Sequence, residues 1–341
     1  MLTIISIALW SLGYSQTTIK PITFSTYLQK VDSGNLEYAA QKLNVSIAEA
    51  QVIAAKIRND PQLGFNYFNN EQVKKKMGYG GSISISQTFT FGKRSAAIGL
   101  AKSETELSKS LLADYLRNLH ADATVSFFES LRQKKLYETK KEAYQNISDL
   151  AKSDSIRFAK GKIMEIDAIQ SKVEAGLMYN ELLQAETEKN KALTELSLYT
   201  GTTKSNLLYQ PESAIKLTYR SYRLADLIEQ GKTQRTDLVA AMQNIDVANK
   251  ALKVAQREKN SDVTVSLELG HNAEVKNEIA PAPSYNSLTA GISLPIPFSK
   301  MNRGSINAAK QRVRQASLEY DQAALQVQNE IMKAYYDYES A

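Results

Sequence analysis

The sequence predicts a mainly α fold with β, built from a helix–strand–strand–long helix unit that occurs twice. Three observations carry this. No proline falls between Pro61 and Pro211, and between Gly99 and Gly201 the only glycines are Gly161 and Gly176, so helix breakers are nearly absent over a hundred residues. Four short segments alternate polar and apolar residues with period two. The order of these elements then recurs further along the chain, at offsets of 201 and 208 residues.

In chain order, residues 1–16 read as a signal peptide. Leu2 to Trp10 is mostly apolar and is followed by Ser11, Gly13 and Ser15, small residues suited to a cleavage site. The first basic residue is Lys20, so the basic start of such a signal is missing and an incomplete signal is expected. Residues 17–34 form an N-terminal segment with a short helix. Residues 35–201 form the first repeat: a helix, a β-hairpin over 61–92 and a long helical hairpin over 95–198. Leu112, Leu116, Leu119, Ala123, Phe127 and Leu131 mark an apolar stripe on its first long helix, expected from about Ser95 to Lys152. Ile166, Ile169, Val173 and Leu177 mark the second, from about Lys162 to Leu198. At 1.5 Å per residue the first would reach about 85 Å, which suits a tube or coiled coil better than a compact globule.

Residues 202–235 read as a linker, and 236–341 as the second repeat, with a hairpin over 261–298 followed by a long helix. Ile83, Ile85, Phe89 and Phe91 share one strand face, opposed by Ser82, Ser84, Ser86, Thr88 and Thr90. Val263, Val265, Leu267 and Leu269 oppose Thr264, Ser266, Glu268 and Gly270. Leu288, Ala290, Ile292, Leu294, Ile296 and Phe298 form a third apolar face, and Leu63, Phe65 and Tyr67 a weaker fourth. The alternation fits both a barrel with lipid outside and water inside and a soluble sheet with one wet face. Pro295 and Pro297 remove donors on one side of the last strand, which suits a rim. The hairpin loops are expected at 71–79 and 271–285.

In the repeat, Ala39, Ala40, Ala50, Ala54 and Asn59 meet Ala240, Ala241, Ala251, Ala255 and Asn260. Further on, Ala101-Lys102 meets Ala309-Lys310, and Phe127-Phe128-Glu129 meets Tyr335-Tyr336-Asp337. Ala341 aligns with Gln133, so the counterpart of 134–200 is expected to be missing from the second copy. Four strands cannot close a membrane barrel, and open edges are not tolerated in lipid. If these strands span a bilayer, several chains must share one barrel.

Composition narrows the function. The chain has 341 residues, 42 Lys plus Arg against 36 Asp plus Glu, a net charge of +6 and no cysteine. That balance is too weak to suggest nucleic-acid binding, and disulfides, thiolate metal sites and cysteine nucleophiles are excluded. His120 and His271 stand far apart, without partners at metal-ligand spacing. No acid/base or nucleophile constellation stands out, so no enzyme activity, cofactor or metal is expected.

The duplicated order and several local patterns resemble the TolC-type outer-membrane efflux protein family, over about residues 24–341. Residues 291–304, GISLPIPFSKMNRG, are similar to its second strand-to-helix entry, in the form found in its cation-efflux and multidrug branches; FGKR at 91–94 is the weaker first form. FAKGKIMEID at 158–167 resembles the turn between the long helices, although Lys160 and Lys162 stand where apolar residues are common. Leu198-Tyr199-Thr200-Gly201 resembles the close of the family's first half. The resemblance implies a homotrimer, with a twelve-stranded barrel in the outer membrane and a long α-helical coiled-coil barrel in the periplasm. It implies passive export of metal cations or drugs through a conduit docked to a periplasmic adaptor, or membrane fusion, protein and an inner-membrane efflux pump. The alternative is a soluble periplasmic coiled-coil adaptor or scaffold.

Three residue sets follow. Phe158, Lys160, Gly161, Lys162, Ile163, Ile166 and Asp167 form the candidate adaptor-docking tip; a helix cap and local turn packing account for the same residues. Ile83, Ile85, Phe89, Phe91, Val265, Leu267, Leu269, Ile292 and Leu294 are the candidate lipid-facing residues. Pro295, Pro297, Asn302, Arg303 and Gly304 form the strand-to-helix entry. Lys74, Lys75 and Lys76 are expected in a solvated hairpin loop, and Tyr335, Tyr336 and Tyr338 in packing contacts.

Overall fold

A computed structural model of the chain describes residues 18–72, 75–202, 207–212, 220–296 and 303–341. The expected signal peptide, Lys74, Pro297, Phe298 and Asn302 lie outside these residues, and the side chain of Lys75 is likewise not described. The elements are β1 (Thr18–Ile22), α1 (Phe24–Gly34), α2 (Leu36–Lys56), β2 (Gln62–Gln72), β3 (Lys75–Phe89), α3 (Lys93–Ala159), α4 (Glu165–Tyr199), β4 (Leu207–Pro211), α5 (Leu224–Gln234), α6 (Thr236–Arg257), β5 (Val263–Asn272), β6 (Tyr285–Ser293) and α7 (Arg303–Ser340). They divide into two compact units. One comprises the chain up to Gln41 with Tyr115–Ser221; the other comprises Lys42–Asp114 with Tyr222–Ala341.

In the first unit, β1 and β4 pair in parallel, Thr18 opposite Leu207 through Ile22 opposite Pro211. The apolar side chains of these strands close over α1, α3 and α4. Ile22, Tyr27, Val31, Leu119, Ala123, Phe127, Leu196 and Tyr209 form the core. Phe24 meets the Phe127 ring edge-on at 5.2 Å, and Tyr27 lies 5.5 Å from it. Burial pushes the Tyr27 phenol well above its ordinary pKa. Leu119, Ala123, Phe127 and Leu131 of the predicted first stripe are buried here, as the period required. Two buried polar side chains are paired: Ser130 Oγ donates to the Ala192 carbonyl at 2.9 Å, and Ser197 Oγ accepts from the Tyr209 amide at 3.1 Å.

The predicted stripe on α4 is different. Ile166, Ile169, Val173 and Leu177 are exposed. Covered positions include Ala168, Ser171, Ala175, Met178, Leu182 and Ala185, spaced three and four apart like a coiled-coil seam, and further on Ala192, Leu193, Leu196 and Ser197. Small residues at the seam allow α3 and α4 to approach closely. Lys140 with Glu181 at 2.6 Å, and Tyr144 with Tyr179 at 5.3 Å, flank it.

The second unit holds a four-stranded antiparallel sheet in the order β2-β3-β5-β6, with the ends of α2 and α3 that fall in it and α5, α6 and α7. α7 covers Ile306, Ala309, Val313, Ala316, Tyr320, Ala323 and Val327, again a heptad seam. Ser103 Oγ donates to Asp246 at 2.6 Å and Thr236 Oγ1 to Asp114 at 2.8 Å. Arg235 holds Asp237 at 2.6 Å and Glu330 at 2.7 Å, and both carboxylates raise its pKa further.

The duplication takes in one more helix than the sequence reading assigned. α1 has its counterpart in α5, inside the segment read as a linker, and the junctions match in conformation: Asn35 has φ −64° and ψ 117°, Arg235 φ −67° and ψ 125°. Several boundaries also differ from expectation. β3 ends at Phe89, so Phe91 lies past the strand in a bend, and β6 ends at Ser293, so Leu294 and Ile296 lie outside it. A bend at Phe91 and Gly92, the latter with φ +77°, and Pro295 after β6 end the ladders there. β2 and β3 continue to Gln72 and from Lys75, so the described residues of the expected loop at 71–79 belong to strands. Lys76 lies in β3 opposite Glu71, an opposite-charge pair that favours a longer hairpin. β5 and β6 also narrow the second connection, running to Asn272 and from Tyr285. α3 runs to Ala159 instead of Lys152. Ser153-Asp154-Ser155 looks like a loop, but Asp154 pairs with Arg157 at 3.2 Å and Ser155 Oγ donates to the Ala151 carbonyl at 2.8 Å. At 67 residues α3 is about 100 Å long.

Candidate functional site: the sheet face and the helical turn

The register of the sheet sorts its residues into two faces. Leu63, Ile85, Leu267 and Ala290 lie in one cross-strand row; Phe65, Ile83, Leu269 and Leu288 lie in the next; Val265 faces Ile292. The other face carries the rows Gly64, Ser84, Glu268, Thr289 and Gln62, Ser86, Ser266, Gly291. Thr88 and Thr264 share a hydroxyl hydrogen bond of 2.9 Å on that side. The apolar face is the open one. Phe65 is 70%, Ile85 50%, Leu267 49% and Leu288 71% exposed. Across the central strands β3 and β5, the Ser, Thr and Glu positions are instead half-buried, as in a sheet curved toward its hydroxyl side.

A soluble sheet does the reverse, covering its apolar side and wetting its polar side. Large contiguous exposed apolar faces are uncommon on soluble monomers and mark contact surfaces. Ile83, Ile85, Phe89, Val265, Leu267, Leu269 and Ile292 all lie on it. Phe91 and Leu294 do not belong to the strands. Among the described residues no helix is long and apolar enough to cross a membrane.

The turn between α3 and α4 ends α3 with two backbone bonds. The Gly161 amide donates to the Phe158 carbonyl and the Lys162 amide to the Arg157 carbonyl, both at 2.8 Å. This is a Schellman cap with Gly161 at φ +66°, the left-handed position that glycine tolerates best. A Cβ there would meet nothing within 4 Å, so backbone conformation alone calls for glycine. α4 opens at Glu165, and Asp167 accepts the Met164 amide at 3.3 Å, satisfying a free donor and favouring the helix dipole. The turn leaves Met164 at 71% and Ile166 at 63% exposed; Phe158, Lys160 and Lys162 are exposed too, and Ile163 is half-buried. The structure therefore brings all seven predicted tip residues to one turn and its flanking helix ends.

At the entry to α3, Asn260 Nδ2 donates to the Phe91 carbonyl at 2.7 Å and Lys93 lies 3.0 Å from Asp262. At the second entry, Ser261 Oγ donates to the Pro295 carbonyl at 2.8 Å, and α7 begins at Arg303 and Gly304. A Cβ on Gly304 would meet open space, so packing does not demand glycine there. His120 Nε2 lies 2.5 Å from Asp32, and His271 Nδ1 lies 2.7 Å from the Asn286 side chain. Among the described residues no group of three or more His, Asp or Glu is placed to hold a metal ion.

Residues 227–341 match the sequence model of the outer membrane efflux protein family. This match takes in about a third of the chain, its C-terminal part. No curated protein matches its sequence. Solved structures share the fold over nearly the whole chain. CusC, described for its transmembrane channel formation, is 15% identical, with a TM-score of 0.72 over 93% of this chain and 75% of its own. The CmeC outer membrane channel of Campylobacter jejuni is 14% identical, with a TM-score of 0.70 over 89% and 67%. The outer membrane protein VceC of Vibrio cholerae is 18% identical, with a TM-score of 0.68 over 92% and 78%. At these identities the likeness speaks for the fold.

The Gly201 segment, noted in the sequence for its efflux-protein pattern, has a packing reason. Gly201 has φ +62°, and a Cβ on it would overlap the carbonyl of Gly34. The small-residue seam of α4 was missed in the sequence because Ala and Ser give almost no apolar signal; their regular spacing of three and four was the sign available.

Proposed function

We propose that three copies of this efflux protein close one twelve-stranded barrel and act as a passive conduit for metal cations or drugs. The observation that carries this reading is the open apolar face of a sheet with two unpaired edges. Among the described residues β2 pairs only with β3, and β6 only with β5. In lipid those edges must find partners, and further copies of the same chain supply them. Two copies would give eight strands, a barrel just wide enough for side chains to fill; three leave a water-filled lumen. The exposed Ile166, Ile169, Val173 and Leu177 on α4, and Leu318 and Leu325 on α7, are the contacts for neighbouring copies. The Gly161 turn, with Phe158, Ile163 and Ile166 flanked by Lys160 and Lys162, receives a periplasmic adaptor that links it to an inner-membrane pump.

The soluble adaptor or scaffold reading would need a cover for the sheet's apolar face, and no described element supplies one. Fractionation with detergent extraction, followed by gel electrophoresis with and without heating, tests the proposal. The chain should extract from the outer membrane as a heat-modifiable trimer. Recovery as a soluble periplasmic monomer would overturn it.

A further inference from the structure

We propose that Glu268 is the charge-selectivity residue of the barrel lumen, a ring of three carboxylates that favours cations; this rests on the trimeric-barrel reading. The strand stretches 62–69, 77–89, 263–270 and 286–293 contain one residue with a charged side chain at neutral pH, and it is Glu268. It lies on the hydroxyl face, directly between Ser84 and Thr289 in register. Its neighbours along β5 on the same face are Ser266 and Gly270. Every adjoining position is therefore a hydroxyl residue or glycine, too short to shield or neutralise a carboxylate. No hydrogen bond or ion pair to Glu268 is found among the described residues. Its charge is left to the lumen.

Glu268 stands mid-strand, the sixth of ten residues in β5, so three copies put three carboxylates at one level of the barrel. Rings of acidic side chains are a general means of cation selection, and low-dielectric walls strengthen their field. The hydroxyl rows around the ring solvate a passing ion without choosing its sign. The inference is specific about sign: cationic solutes are concentrated at this level and anionic ones are depleted.

The absence of cysteine makes a direct test possible. Ser84→Cys places a single thiol opposite Glu268, at a cross-strand Cβ separation of about 5 Å. The assembled trimer is treated with membrane-impermeant methanethiosulfonates, one carrying a trimethylammonium group and one a sulfonate, and their labelling rates are compared. The cation-to-anion rate ratio should fall at least about fivefold when Glu268→Gln is added, and the difference should shrink in high salt. In planar bilayers, Glu268→Lys should move the reversal potential of a KCl gradient toward anion selectivity. An unchanged rate ratio in a trimer whose Ser84→Cys thiol is labelled would overturn the role of Glu268 and leave the barrel standing. A trimer in which Ser84→Cys reacts with neither reagent would remove the water-filled lumen itself, and the proposed function with it.

Discussion

Exchanging a leucine for an arginine on the sheet's open face separates the lipid-facing from the soluble reading. Leu267 sits in the middle of β5, between Ile85 and Ala290 in register, and half its surface is bare. In a barrel, Leu267→Arg places a guanidinium against hydrocarbon, at about 2–4 kcal/mol near the bilayer midplane. Three copies raise this to about 6–12 kcal/mol per barrel, comparable to the whole stability of an ordinary domain, about 5–15 kcal/mol. Ser266→Arg, one residue away, points the same group to the hydroxyl side, where water receives it. Trimer yield from outer-membrane fractions, read on gels with and without heating, should collapse for Leu267→Arg. It should persist for Ser266→Arg, with reduced pore conductance. On a soluble sheet Leu267→Arg would be harmless, and equal trimer yields from the two variants would refute the assignment of faces.

Gly161→Val should strain the left-handed cap by about 1–2 kcal/mol and weaken crosslinking to the adaptor while the trimer persists; joint loss of both would make Gly161 a folding residue only. Lys160→Glu with Lys162→Glu should lower the same crosslinking in a salt-sensitive manner. Ala185→Leu overpacks the α4 seam and should destabilise the helical hairpin by about 1–3 kcal/mol in urea unfolding, whereas Val173→Ala should spare the hairpin and lower trimer yield. Glu129 is held down to about 2 by hydrogen bonds from Arg132 and Gln133. Its contribution is present above its ordinary value of about 4.5 and lost as pH falls toward 2, so Glu129→Gln should lower the urea midpoint slightly at neutral pH and leave it unchanged near pH 2.

Much of the fold was legible because its signals are periodic and local. The Ile-Ser alternation in β3 and the lack of glycine and proline along α3 each correspond to one element. The alternation alone did not tell which face is left open; that needed the exposure of Phe65 and Leu288 together with the register. Phe91 and Leu294 kept the period of two beyond the ladder, since composition does not record where backbone pairing stops. The bulky stripe at Ile169, Val173 and Leu177 stood out on α4, while its intrachain seam rests on alanines and serines. The β1–β4 pair joins segments nearly 190 residues apart, and five-residue strands carry too little pattern to announce such a partner. For the turn, Gly161 and Asp167 were readable because cap chemistry is local. The isolation of Glu268 emerged only when four strands were set side by side.

The two repeats are not interchangeable. In the first, Val31 and Ala123 share the core. At the corresponding places in the second, Gly231 meets Ile331, and a Cβ on Gly231 would overlap that side chain. Bulk has moved from the short helix to the long one. Each short helix is therefore fitted to the long helix of its own repeat. Exchanging the two short helices would set a valine against an isoleucine in one core and a glycine against an alanine in the other. The first overpacks and the second leaves a void, so both exchanges carry a packing penalty, and the unequal cores act as a key that pairs each short helix with its own partner as the duplicated chain folds.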